Sequence, residues 1–285
     1  MIGFFFPGVL LSLKPYNQLL FSITMFGIGM VLHFEDFKNI LLHPREMFLG
    51  VTAQYTIMPL SAYAITKIFN LAPEIAVGIV LTGSAPGAMT SNVISYLAGA
   101  DVAFSVSLTS LSTLLSPILT PFLTLALAGQ LIQVSFLAMF WSIVNMIIIP
   151  LFLGFIVKHF YGRKIHHLIE VFPAISVVAI ALICGIVVAL NKTSLLGLSS
   201  KIFTIVFILN LLGMILAFFW AKTFKFNKHK IKTLMIEISM QNAGLGVVLA
   251  LKHFSPITAL PSAVFTIWCI ISASILVKIW KIIRF

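Results

Sequence analysis

Gly83-Ser84-Ala85-Pro86-Gly87-Ala88-Met89-Thr90-Ser91-Asn92 is a run of small and polar residues set in the middle of an apolar stretch over 74–98. Pro86 removes a backbone donor and clashes with the preceding turn, and Gly87 loosens the chain beside it. The stretch therefore cannot be one plain helix. A second segment repeats the pattern: Glu237-Ile238-Ser239-Met240-Gln241-Asn242-Ala243-Gly244-Leu245-Gly246 interrupts the apolar run 231–252. Two long apolar runs, each broken at its middle by polar residues, set the fold class.

The rest of the chain says what surrounds them. Of 285 residues, 60% are hydrophobic and only 9% charged, against about a quarter charged in a soluble domain. So few charges cannot cover a water-exposed surface. Apolar runs over 18–34, 47–68, 74–98, 103–129, 135–158, 168–190, 200–221, 231–252 and 258–281 suit a hydrocarbon core of ~30 Å. They predict an all-α polytopic membrane protein with nine spans, or ten with the apolar segment before Leu13, which reads as a shortened or partly inserted first helix. Ahead of that segment there is no charged n-region of the kind a cleaved signal carries.

The net charge of +11 belongs to this membrane setting, since Lys and Arg gather on cytoplasmic loops. It is not a nucleic-acid footprint. With the C-terminus inside, the inner loops hold Lys38, Arg45, Lys158, Arg163, Lys164, Lys222, Lys225, Lys228, Lys230, Lys232, Lys278, Lys281 and Arg284. Only Lys14, Lys67, Lys192, Lys201 and Lys252 remain outside. This places the chain in the inner (plasma) membrane with a cytoplasmic C-terminus. Cys184 and Cys269 lie in apolar runs and read as buried hydrophobes.

Unwound backbone at mid-membrane depth survives only where protein buries it or where it lines a cavity. One such break in each half, running in opposite directions across the membrane, is the sign of inverted repeats whose broken helices cross at a central site. Close helix packing accounts for Gly27 and Gly29. It does not account for Pro86, Ser91, Asn92, Gln241 and Asn242.

Glu237 is the one acidic residue well inside an apolar run; Glu35, Asp36, Glu46, Glu74, Asp101 and Glu170 stand at or near span ends. An ionisable group at that depth is a functional candidate. Three readings compete: a cation ligand, a proton relay, or a partner of Lys230 or Lys232. A cation is favoured, because Gln241 lies one helical turn on with Asn242 beside it, and hard cations take several oxygen ligands. The proton reading stands second, as a proton-coupled carrier or antiporter on a related inverted-repeat fold. An enzyme is not expected: the histidines fall at or near loops, and neither HExxH nor a paired-Asp motif occurs. A channel would want a repeated pore loop or charge ring, also absent.

At these residues the sequence resembles the bile acid:sodium symporter family. Pro86-Gly87 through Ser91-Asn92, Tyr96-Leu97-Ala98, Asp101-Val102-Ala103 and Ser105 to Ser116-Pro117 look like its first signature. Glu237 to Leu245, then His253-Phe254 and Ala259-Leu260-Pro261, look like its second. The resemblance implies symport of an organic anion with sodium by alternating access. It implies two sodium sites: one of Ser91, Asn92, Ser105, Thr109 and Glu237, the other of Gln54, Glu237 and Gln241 with backbone oxygens of Ile238 and Met240. Gln54 is also an amide inside the apolar run Val51–Met58, an independent reason to single it out.

The resemblance further implies a core domain of 47–129 and 200–281, with breaks near 83–92 and 237–246, and a panel domain of 1–34 and 135–190. Substrate would meet Asn242, the backbone after Pro86 (Gly87, Ala88), Met89, and the last helix at Cys269 and Ile270. There the chain departs from its relatives: a His-Asn pair often follows the Trp of the last helix, whereas Trp268 is followed by Cys269 and Ile270. An apolar pocket suits a bile acid-like amphipath, with a small carboxylate such as pantoate as the other option. The expected partners are sodium, an organic anion and the lipid bilayer; no nucleic acid and no protein partner are indicated.

Overall fold

The computed structural model describes residues 7–162 and 166–283. Residues 1–6, Arg163, Lys164 and the side chains of His166, His167 and Glu170 lie outside that description. Every described element is a helix or helical turn. A one-turn helix, α1 (Pro7–Leu11), and a 3-10 turn, Lys14–Tyr16, lead into α2 (Asn17–Gly29). Then come α3 (Phe34–Leu42), α4 (Pro44–Ile68), α5 (Pro73–Gly83), α6 (Thr90–Leu97) and α7 (Val102–Ala128). After these, α8 (Phe136–Ile143) joins α9 (Ile149–Tyr161) through a π turn, Val144–Ile148. The second half holds α10 (His166–Leu190), α11 (Lys192–Thr223), α12 (Lys228–Ser239), α13 (Ala243–His253) and α14 (Pro256–Ile283).

Four helical stretches among the described residues are each long and apolar enough to cross a membrane: Val102–Ala128, Phe136–Tyr161, Ser200–Thr223 and Pro256–Ile283. A fifth candidate is bent by 76° between Gly29 and Phe34. The apolar runs predict a span ending at 34 and a loop up to 46; the structure instead bends there and continues as helix over Phe34–Leu42. Phe34–Leu42 is helical because Asp36 accepts from the backbone N–H of His33 (2.8 Å), closing a capping box at its start. Lys158 Nζ takes up the carbonyls of Val31 (3.0 Å) and Leu32 (2.7 Å), freed by the bend.

The broken helices have halves of 11 and 8 residues, and of 12 and 11. At 1.5 Å per residue, each half is roughly 12–18 Å long, too short to cross alone. Gly29 lies against the Leu151 backbone, where a Cβ would collide with the carbonyl, so α2 and α9 approach backbone to backbone.

The two halves of the chain correspond at a separation of 154 residues. Val102 and Pro256 begin the helices after the two breaks, and Gly87 and Gln241 sit at the breaks themselves. Outward faces carry large apolar side chains: Ile118 (54% exposed) and Phe122 (56%) on α7 contrast with fully buried Ser105 and Thr109 on the opposite side of the same helix. Apolar-outside, polar-inside order of this kind suits lipid as the surrounding solvent.

Candidate ion and substrate site at the helix crossover

At the first break α5 stops at Gly83 and helix resumes at Thr90; at the second, α12 stops at Ser239, Met240 turns extended (φ −109°, ψ 100°), and α13 begins at Ala243. The two unwound segments meet as an antiparallel bridge at Gly87 and Gln241. Ala88 N–H donates to the Met240 carbonyl (2.8 Å), and Asn242 N–H donates to the Pro86 carbonyl (2.8 Å). Each bond maps onto the other under the 154-residue correspondence. Buried backbone groups must be satisfied, and here each break supplies partners to the other.

Side-chain amides complete the arrangement. Gln54 Nε2, from α4, donates to the Ala85 carbonyl (3.3 Å), and Asn210 Nδ2, from α11, donates to the Ser239 carbonyl (2.8 Å). Ala85 and Ser239 are again 154 residues apart. Asn210 escaped the sequence reading, although the signal that picked out Gln54, a lone amide in an apolar run, applies to it equally.

Glu237, on the last turn of α12, is fully buried. It does not pair with a lysine. Lys230 turns to Glu46 (2.5 Å), and Lys232 donates to the Ala98 carbonyl (3.1 Å). The carboxylate is held by hydroxyls: Ser91 and Ser105 (3.1 Å) donate to Oε2, and Thr109 donates to Oε1. Asn92 Oδ1 stands 2.9 Å from Ser105 Oγ and 3.3 Å from Thr109 Oγ1, competing with the carboxylate for each hydroxyl's single proton, and Ser95 donates to Ser105 (3.3 Å). Burying a carboxylate costs several kcal/mol. Three bonds to a charged group, at about 1.5–3 kcal/mol each, are of the size needed to offset it. Gly87 makes room for this arrangement, since a Cβ there would collide with Glu237 Oε1.

The structure thus brings together Ser91, Asn92, Ser105, Thr109 and Glu237. It also gathers Gln54, Gln241 and Ile238: Gln54 Nε2 donates to Gln241 Oε1 (2.8 Å), and Gln241 Nε2 donates to the Ile238 carbonyl (2.8 Å). The Met240 carbonyl is engaged by Ala88. Glu237 makes no hydrogen bond to Gln54 or Gln241, so in this structure the two groups do not share the carboxylate. Gln54 Oε1 is buried and accepts no hydrogen bond. One set offers a carboxylate with neutral oxygens and the other a buried, unengaged amide oxygen. Both fit the oxygen-only ligation that hard cations require.

The residues expected around substrate are less convergent. Asn242 caps α13 through its side chain, accepting from Leu245 N–H (3.3 Å). Of the amides after Pro86, that of Ala88 is committed to the crossover, and those of Ser91 and Asn92 to local turns. Met89 is half-buried beside Asn92 (Sδ to Nδ2, 4.0 Å). On α14, Cys269 is buried (2%) and Ile270 exposed (40%). Adjacent helix positions diverge by about 100°, so the two side chains point different ways.

Comparison with known proteins adds a separate line. A family model described as the sodium bile acid symporter family matches residues 18–198. The uncharacterized sodium-dependent transporter YocS of Bacillus subtilis is 39% identical over 281 residues, covering 99% of this chain and 88% of that protein. The probable sodium/metabolite cotransporter BASS1, chloroplastic, of Arabidopsis thaliana is 35% identical, covering 91% of this chain and 65% of its own length. The ileal sodium/bile acid cotransporter of Oryctolagus cuniculus is 25% identical over 86% of this chain and 71% of its own.

Proposed function

The chain belongs to the sodium bile acid symporter family, and from that premise we propose that it carries an organic anion across the plasma membrane by symport with sodium. It is a transporter and not an enzyme. The observation that carries the sodium reading is the oxygen cluster around Glu237: one carboxylate, three hydroxyls and the Asn92 amide oxygen, all at the crossover of two broken helices. A proton relay accounts for hydroxyls that hold a buried carboxylate, but not for the Asn92 amide oxygen turned into the same cluster.

The first sodium site is assigned to Ser91, Asn92, Ser105, Thr109 and Glu237. The second takes Gln54, Gln241 and the carbonyls of Ile238 and Met240, with Glu237 reaching it when the cation is present. One carboxylate does not neutralise two Na⁺ ions, so the loaded crossover carries excess positive charge, which favours an anion nearby. Sodium and anion affinities are thereby coupled, each raising the other. The anion lies near Asn242, Met89 and the break at Pro86–Ala88, beside Cys269. An apolar wall there suits a bile acid-like amphipath, and a small carboxylate such as pantoate is the alternative cargo.

The face holding Lys222, Lys225, Lys228 and Lys230 is cytoplasmic by its excess of basic residues. Segments 47–129 and 200–281 move as a core against a panel of 1–34 and 135–190. Three contacts would latch the two at the outer face: Ser142 with His253 Nε2 (2.9 Å), Lys252 with Gln18 (3.1 Å), and Asn191 with the Pro256 carbonyl (2.9 Å).

The experiment follows thermal unfolding of the purified chain while Na⁺ replaces K⁺ at constant ionic strength, for wild type and Glu237→Ala. A ligand that binds the native state raises its stability. Sodium-selective stabilisation that is lost in Glu237→Ala supports the reading. Equal stability in both salts for wild type would sink it.

A further inference from the structure

Helix α7 carries a hydroxyl stripe that continues well beyond the Glu237 cluster. Ser105 and Thr109 hold the carboxylate; Thr113, Ser116, Thr120 and Thr124 then follow on the same face at helical spacing, each no more than 1% exposed. Mid-helix Ser and Thr usually bond their own backbone. Ser116 does so to the Thr113 carbonyl (2.7 Å), and Thr124 to that of Thr120 (2.8 Å). Thr113 Oγ1 does not: it is buried and makes no hydrogen bond within the protein.

The wall facing this stripe is polar as well. Thr120 donates to the Ser84 carbonyl (2.8 Å), and the Tyr55 hydroxyl donates to the Ser112 carbonyl (2.7 Å) with the Thr120 side chain beside it. Ser84 Oγ is fully buried and, like Thr113 Oγ1, has no hydrogen-bond partner. Close packing alone would be served by Ala or Gly at positions 84 and 113 without stranding a hydroxyl. Thr113 lies one helical turn, roughly 6 Å, from Thr109. Beyond it the stripe leads along α7 to the end remote from Lys230, the face proposed above as outer.

We propose that this stripe is the entry route of a monovalent cation from the outer face, with Thr113, one helical turn from Thr109, and Ser84, set against Thr120 farther along α7, as the neutral oxygens of its relay station. The inference rests on the sodium reading above. Uncharged oxygens suit a transit station, because conduction needs binding strong enough to enter and weak enough to leave. The station therefore sets the rate at which sodium arrives and leaves its final affinity alone.

The test follows ²²Na⁺ loading of the whole chain in right-side-out and inside-out membrane vesicles, for wild type, Thr113→Val, Thr113→Ser and Ser84→Ala. Loading from the outer face should slow by about fivefold or more in Thr113→Val and Ser84→Ala and recover in Thr113→Ser. The sodium midpoint for thermal stabilisation should stay within about twofold of wild type. Unchanged outer-face rates in both variants would overturn the proposal. So would a midpoint that weakens by the same factor as the rate, which makes these hydroxyls part of the final site. If Thr113→Val does not fold, Ser84→Ala decides alone. A wild-type chain that loads no sodium from either face would overturn sodium coupling itself.

Discussion

Gly87→Ala is the substitution that most sharply tests the geometry of the crossover. The added methyl would be placed against Glu237, 3.1 Å from Cδ and 3.6 Å from Cγ, and in collision with Oε1. Relief requires the carboxylate to retreat by roughly 1 Å or the antiparallel bridge to open. Retreat weakens the bonds from Ser91, Ser105 and Thr109, at about 1.5–3 kcal/mol each for a charged acceptor. Opening the bridge breaks the Ala88–Met240 and Asn242–Pro86 bonds, about 1 kcal/mol apiece net. Either way the penalty is about 2–4 kcal/mol, in the range of an overpacked core. Because the displaced carboxylate is the proposed cation ligand, the sodium midpoint should rise by more than about tenfold, 1.4 kcal/mol of binding. The assay is thermal unfolding in K⁺, which reads the packing penalty, followed by a sodium titration, which reads the site. A Gly87→Ala protein with wild-type stability in K⁺ and a wild-type sodium midpoint would refute the reasoning.

Glu237→Gln keeps the volume but removes the buried charge, so stability in K⁺ should hold or rise while the sodium-induced shift vanishes; melting curves in the two salts check both. Asn210→Leu leaves the Ser239 carbonyl without its amide, and should cost about 1–3 kcal/mol in K⁺ while sodium selectivity survives. An unchanged denaturation midpoint would show that this carbonyl finds another partner. Ser142→Ala removes one hydrogen bond of about 1 kcal/mol to His253. It should shift the balance between open and closed outer faces by about fivefold, which labelling of a single cysteine introduced on the outer end of α8 would read.

The membrane environment, the two breaks and the special status of Glu237 were legible in the chain, because hydropathy, proline chemistry and an acid in an apolar run are local properties. Gln54 was legible for the same reason, and Asn210 should have been. Other features depend on pairings between distant residues. The Glu237 nest joins positions 128 to 146 residues apart, and Gln54 meets Gln241 across 187. Tertiary packing alone decided that Lys230 turns to Glu46, that the Ala88 amide serves the crossover, and that Glu237 bonds the hydroxyl cluster but neither Gln54 nor Gln241. The 76° bend before Phe34 also lay outside the hydropathy reading, since residues 18 to 34 are as apolar as a straight span would be. Local sequence determines where a helix must break and which residue is out of place in lipid. Only the packed helices determine what satisfies the freed groups, because in the membrane interior backbone N–H and C=O groups released by a break must find partners within the protein, wherever along the chain those partners lie.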